Sequence, residues 1–212
     1  MVRVAAATRT VGRVACALAL VSSAVAPALA ARQEAPGIVF AGSSILRRWT
    51  ALTTQMAPLP IVNVSLDGAS TYDLLSILGP RVIPRKPKVV VYYGGSNDVD
   101  VGESAEAIVG RVVQFNDRLK AALPEARLVF VSVNRSPDHE DLWPVIDDIN
   151  QQMHAYAMTH PLVDFVDVNP ALFNRDGSPR IDVYMPDQRH LRRPAYEDLA
   201  GILKPVLVRA LE

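Results

Sequence analysis

A single cysteine, Cys16, is all the thiol this sequence has. It lies near the start, in a segment expected to be removed. The remaining chain then has no disulfide and no cysteine to offer a metal, and its fold must stand on its core alone. Charge of one sign is missing too. The 212 residues carry 22 basic and 22 acidic side chains, a formal net charge of +0. No basic stripe exists to bind nucleic acid, and no polybasic run suggests a lipid surface. There is no internal repeat and no low-complexity tract. A His-Glu-x-x-His pair and a Gly-rich phosphate loop are both absent, which sets aside zinc-protease and nucleotide-binding chemistry. His139, His154 and His160 show no ligand spacing, so no metal is expected.

Long apolar runs are also scarce. One runs from Val14 to Pro27, behind Arg3, Arg9 and Arg13, with no acidic residue before Glu34. It closes on Ala28-Leu29-Ala30. A positive start, a short apolar core and a small-residue end make a secretory signal peptide. Ser22, Ser23 and Pro27 break the run and leave it short for a membrane span. The expectation is a signal peptide over residues 1–30, cut near Ala30, and a single domain over 31–212. The mature chain is then secreted or periplasmic, with no stable membrane insertion; a retained anchor is the alternative. Cys16 is a poor lipidation site, because Arg13 stands where an apolar residue is needed.

The rest of the chain alternates strand-like and helix-like stretches. Strands are expected at Gly37–Ala41, Ile61–Val64, Lys88–Tyr93, Arg127–Val133 and Val163–Val168. The third is apolar without alternation, as when both faces of a sheet are covered. Helices are expected from near Ser44, over Thr71–Val82, Glu103–Leu123 and Leu142–Thr159, and from near Pro194. Ile108, Val112, Phe115 and Leu119 recur at helical spacing. Pro205 is expected to kink the last helix. Strands separated by helices predict a parallel sheet covered on both faces. Ligands then bind beyond the carboxyl ends of the strands. Asn169 to Arg193 reads as one long polar loop, a kind that is often functional.

Four short motifs fall at those ends or before the last helix. Gly42-Ser43-Ser44 follows the first strand, Asn63…Gly68 the second, and Gly95-Ser96-Asn97-Asp98 the third. Asp187-Gln188-Arg189-His190 precedes the last helix. Together they supply a serine nucleophile, a histidine base, an aspartate to orient it and donors for an oxyanion. Each alone has a plainer reading: a helix cap at Ser43 or Ser44, a turn glycine at Gly68, a polar loop at Asn97, a surface histidine beside an acid.

Taken in order, the motifs resemble those of the SGNH hydrolases, also called the GDSL family. Their first block reads Gly-Asp-Ser. Aligned on the glycine, the nucleophile here is Ser44, and Ser43 replaces the usual aspartate. Arg47/Arg48 and Trp49 look like a branch that carries Gly-Ser-Ser. The resemblance covers the chain beyond the leader. It implies a flavodoxin-like, three-layer α/β/α sandwich with a five-stranded parallel sheet. It also implies ester hydrolysis through an acyl-enzyme and no cofactor. Ser44, Asp187 and His190 would be catalytic. The backbone N–H groups of Ser44 and Gly68 and the side chain of Asn97 would form the oxyanion hole, with Asp98 ordering the loop.

Other charged and aromatic residues have plainer readings. Asp147/Asp148 and Asp164/Asp167 read as surface and structural acids rather than a sugar-hydrolysing pair. Arg189, Arg192 and Arg193 read as a solvated basic turn, with attraction of an anionic substrate as the alternative. Trp143 reads as core rather than substrate platform. Short connections suggest an open, shallow cleft for small acyl groups on sugars or lipids. An acyl transferase using the same residues is the alternative activity, and a non-catalytic binding module on the same fold is the third.

Overall fold

The computed structural model describes residues 1–2 and 37–212. The expected leader over residues 1–30 lies, apart from its first two residues, outside the described residues. Five strands form one parallel sheet: β1 (Ile38–Gly42), β2 (Ile61–Asn63), β3 (Val89–Tyr93), β4 (Arg127–Val131) and β5 (Val163–Val166). Their order is β2-β1-β3-β4-β5. The helices are α1 (Ser44–Arg47), α2 (Leu52–Met56), α3 (Thr71–Ile77), α4 (Ser96–Asp100), α5 (Ala105–Ala122), α6 (Trp143–Thr159) and α7 (Arg193–Leu211). This is the flavodoxin-like α/β/α arrangement that the motifs implied.

Side chains alternate across each strand, so the sheet divides the apolar residues into two cores. Val39, Val90, Tyr92, Leu128 and Phe130 face the core that holds α3, α5 and α6. Ile38, Phe40, Val91, Tyr93 and Val129 face the core that holds α1, α2 and α7. Every residue of β1 and β3 is buried. That double burial explains the unbroken apolar run in β3, where β-branched valines also suit a pleated strand.

In the order 2-1-3-4-5 the chain leaves β1 and β3 in opposite directions. The crevice between their carboxyl ends is the switch point where such sheets bind ligands. Gly42 ends β1 there, and an added Cβ would stand 2.7 Å from the Tyr93 carbonyl. Only glycine lets the two strand ends approach so closely. Ser43 N–H then donates to that carbonyl at 3.1 Å.

Several expectations are corrected. The first helix is one turn, and a second short helix, α2, follows it. The predicted helix over Thr71–Val82 is regular only to Ile77; Leu78–Val82 widens into a π-helical turn across Gly79-Pro80. Asn97 and Asp98 sit in the short helix α4 rather than in an open loop. The long loop before α7 holds two 3₁₀ turns and two isolated bridges, Phe173 with Pro179 and Tyr184 with Leu191. As expected, α7 turns Tyr196, Leu199 and Leu203 inward, and Pro205 lies within it. Among the described residues no helix is long and apolar enough to cross a membrane.

Candidate active site

Ser44 opens α1 directly after β1. Its hydroxyl lies 3.0 Å from Nε2 of His190. The other ring nitrogen, Nδ1, lies 2.7 Å from Oδ2 of Asp187. The carboxylate can only accept, so Nδ1 carries the proton and Nε2 is left to accept from Ser44. Serine, histidine and aspartate thus form one hydrogen-bonded line from residues up to 146 positions apart.

Ser43 is not in that line. It is fully buried, its hydroxyl has no partner among the described residues, and it makes no side-chain cap despite standing at the N-cap of α1. The cap expected of it is therefore absent. Trp49 stacks on Tyr196 with ring centres 5.1 Å apart, and the Tyr196 hydroxyl donates to the Ile45 carbonyl at 2.8 Å. The short α1 is held against α7 in this way.

The loop carrying Asp187 and His190 shapes itself. Met185 N–H donates to the His190 carbonyl at 2.7 Å and Gln188 N–H to the Met185 carbonyl at 2.9 Å. Gln188 takes a left-handed φ of 55° at the tip. Oδ1 of Asp187 accepts the N–H of Arg189 at 3.1 Å and of His190 at 3.0 Å. Partial burial pushes the Asp187 carboxyl up. The His190 ring and these two backbone donors outweigh it and hold the carboxyl down at about 2.

The donors expected for an oxyanion come from α1, the loop after β2 and α4. Ser44 N–H belongs to the first turn of a helix, where no intrahelical carbonyl exists to take it. Gly68 turns with a φ of 69°, a conformation side chains resist. The loop is brought to Ser44 by Leu66 N–H, which donates to the Gly42 carbonyl at 2.9 Å. Asn63 ties it further, giving its side-chain N–H to the Leu46 carbonyl at 2.8 Å. Asn97 donates one amide hydrogen to the Ala69 carbonyl at 2.8 Å and keeps the second free.

Asp98, expected to order its loop, does so through partners that sequence reasoning missed. Its carboxylate accepts the Thr71 N–H at 2.9 Å and the Thr71 hydroxyl at 2.6 Å. Arg111 reaches in from α5, donating to Thr71 Oγ1 at 2.6 Å, Asp98 at 3.3 Å and Glu103 at 2.8 Å. The one available signal is a charged residue on α5 between Ile108 and Phe115, at the border of an otherwise apolar face.

A narrow crevice opens beside Ser44 and Asn97, between Tyr93, Val99, Ser136 and Leu142. Its interior volume is about 20 Å³, on the scale of one or two water-sized spheres. It is tighter than an open, shallow cleft, because the segment after β4 forms a wall. Tyr93 donates its hydroxyl to Asn134 at the base of that crevice, and burial pushes its phenol up to about 12. Tyr93 therefore stays neutral.

The arginine cluster splits. Arg193 pairs with Glu197 at the surface. Arg189 is engaged by Asp138 and Asp100, so it is neither a freely solvated charge nor free for an anionic substrate. Asp147 and Asp164 pair with Arg135 and Arg127, and Asp167 accepts from Ser132. These acids are surface and structural, as expected. Trp143 is only partly buried, edge-on to Phe173 with Arg135 over its face. Among the described residues no group of three His, Cys, Asp or Glu side chains is placed to hold a metal.

A parallel α/β sandwich with this hydrogen-bonded line at its switch point defines a hydrolytic enzyme. Residues 29–197 match the GDSL-like Lipase/Acylhydrolase family, and the chain belongs to that family. It is 26% identical over 189 residues to human platelet-activating factor acetylhydrolase IB subunit alpha1, covering 85% of this chain and 79% of the relative. Two solved structures share the fold. A GDSL-like lipase from Bacteroides thetaiotaomicron superposes with a TM-score of 0.71 at 21% identity, over 82% of this chain and 88% of that one. A carbohydrate esterase family 3 protein from Talaromyces cellulolyticus superposes at 0.66 with 18% identity, over 82% and 97%.

Proposed function

We propose that this protein is an exported serine esterase that removes short acyl groups, of about acetyl size, from a sugar or lipid alcohol. The observation that carries the reading is the line Ser44–His190–Asp187, with His190 Nε2 at 3.0 Å from the Ser44 hydroxyl. Ser44 Oγ attacks the ester carbonyl while His190 takes its proton. The tetrahedral oxyanion is met by the N–H groups of Ser44 and Gly68 and the free amide hydrogen of Asn97. Collapse breaks the ester C–O bond, and His190 returns the proton to the departing alcohol. Water, activated by the same imidazole, then releases the acid and restores Ser44.

The acyl size follows from the crevice, whose volume of about 20 Å³ suits a methyl-sized tail. An acetylhydrolase and a carbohydrate esterase among the similar proteins support the same direction. Export rests on Arg3, Arg9, Arg13 and the apolar run that ends at Ala30.

A fluorophosphonate probe should label the protein once, with the adduct mapping to Ser44. Rates on p-nitrophenyl esters should fall steeply from acetate to hexanoate, and Ser44→Ala should neither label nor turn over. An adduct elsewhere, or Ser44→Ala labelled at the wild-type rate, would overturn the assignment. N-terminal sequencing of protein recovered from the periplasm or medium should begin near Ala31.

A further inference from the structure

We infer that Arg189 is the specificity-determining residue of this site, a three-way ion-pair clamp that closes the acyl crevice and sets the acyl length it accepts. The inference deepens the esterase reading and rests on it. Arg189 Nε donates to Asp138 Oδ2 at 2.6 Å. Its Nη2 donates to Asp100 Oδ1 at 3.2 Å, and its Nη1 donates to the other oxygen of the same carboxylate. The contact with Asp100 is thus bidentate, the geometry in which guanidinium and carboxylate match best. The partners stand 51 and 89 residues away in sequence.

Each end of the clamp belongs to a different wall. Asp100 ends α4, which also carries Asn97 and Val99 into the crevice. Asp138 lies in the 3₁₀ turn Pro137–Leu142, whose His139 and Leu142 form the facing wall. Arg189 itself lines the crevice beside them. The side chains are only 28%, 24% and 19% exposed for Arg189, Asp100 and Asp138. Ion pairs so shielded resist solvent screening better than pairs at the surface.

Arg189 has no second role that would hide this one. The turn that places His190 is closed by its own backbone bonds and by Asp187, and none of them uses the Arg189 side chain. With all three guanidinium nitrogens engaged, the group has nothing free for a substrate anion. Its removal would leave Asp100 and Asp138 at the crevice mouth without their shared counter-charge. Like charges there repel, and the walls that carry them would part. The crevice would gain the volume of the lost side chain as well.

The experiment compares kcat/KM on p-nitrophenyl acetate, butanoate and hexanoate for wild type, Arg189→Ala and Arg189→Lys. In Arg189→Ala the hexanoate-to-acetate ratio should rise by about 10- to 100-fold, the scale set by one or two methylenes in an apolar pocket. Arg189→Lys should fall between, because a point charge cannot grip both carboxylates as a planar fork does. Labelling of Ser44 by a small methyl fluorophosphonate should persist in both. Asp100→Asn, which weakens the clamp from its other end, should shift the ratio in the same sense and serves if Arg189→Ala does not fold. An unchanged ratio in folded, labelled variants would overturn the proposal. Loss of labelling in Arg189→Ala alone would make it a support of the His190 loop instead. Failure of the wild type both to label and to cleave any of the three esters would strike the esterase reading and overturn this proposal with it, an outcome distinct from an unchanged ratio in active variants.

Discussion

Two aspartates near the ends of the site's motifs, Asp98 and Asp187, are held in opposite ways. Asp98 is 2% exposed and locked by Thr71 and Arg111. Asp187 has a side chain 49% exposed and is held by the histidine it serves and by two backbone N–H groups of its own turn. The difference matches the tasks proposed for them. Oxyanion donors act best when fixed before the charge forms, since nothing then reorganises during reaction. Asp98 fixes Thr71, and Asn97 beside it binds Ala69, so one buried network holds the Asn97 amide against the Gly68 loop. In the proposed mechanism His190 instead gains and loses a proton in each cycle, next to substrate and water. A local, surface-borne pair suffices for that.

This contrast can be broken first at Asp187. Asp187→Asn should lower kcat/KM on p-nitrophenyl acetate by about 10³- to 10⁴-fold, because the imidazole loses both its tautomer and its counter-charge. The melting temperature should hardly move, as expected for an exposed group. A near-normal rate would make His190 a surface histidine with no part in the reaction.

Asn97→Ala tests the other side. Loss of one oxyanion donor should cost about 10²- to 10³-fold in kcat with little change in KM, since the bond strengthens only in the transition state. A change confined to KM would mean that Asn97 holds substrate in its ground state. Asp98→Ala should show the reverse balance. Leaving the buried Thr71 donors without their carboxylate should cost about 1–3 kcal/mol, although Arg111 keeps Glu103 as a partner. For a chain of this length that is a fall of about 2–12 °C in Tm. If Asp98→Ala kept its Tm and lost activity alone, the network would be catalytic rather than structural.

What could be read from the chain follows the same divide. The strands were legible because β1 and β3 are buried on both faces and so are written as unbroken apolar runs. The four motifs were legible because each lies within a few residues and at a strand end or before α7. Contacts that cross the fold were not. Arg111 meets Thr71 across 40 residues, and its place at the border of an apolar helix face does not say which partner it reaches. Arg189 read as a solvated turn because Asp100 and Asp138 are remote. α2 and α4 are each five residues long, too short for periodicity to mark, and packing rather than propensity makes them. Ser43 reads as a cap because serine commonly is one, yet it is completely buried and makes no cap bond.

The smallest expected effect is on the pH profile, and it separates the two members of the exposed pair. Asp187 is held down at about 2, so it remains a carboxylate wherever the enzyme is assayed. The acid limb of kcat/KM should therefore report one ionisation, that of the base which accepts the Ser44 proton. On p-nitrophenyl acetate between pH 4 and 9, log kcat/KM should fall toward acid with a slope of one. A slope of two would mean that Asp187 takes up a proton together with His190, and that its three donors do not hold it as the geometry indicates. The stability effect has a fixed sign. A carboxyl depressed in the folded state adds stability above its unfolded value of about 3.9. That addition is lost as pH falls through about 2. The urea midpoint of wild type should therefore exceed that of Asp187→Asn by a small margin at pH 6, and the margin should shrink between pH 4 and 2. A margin that grew toward acid would contradict the direction of the shift.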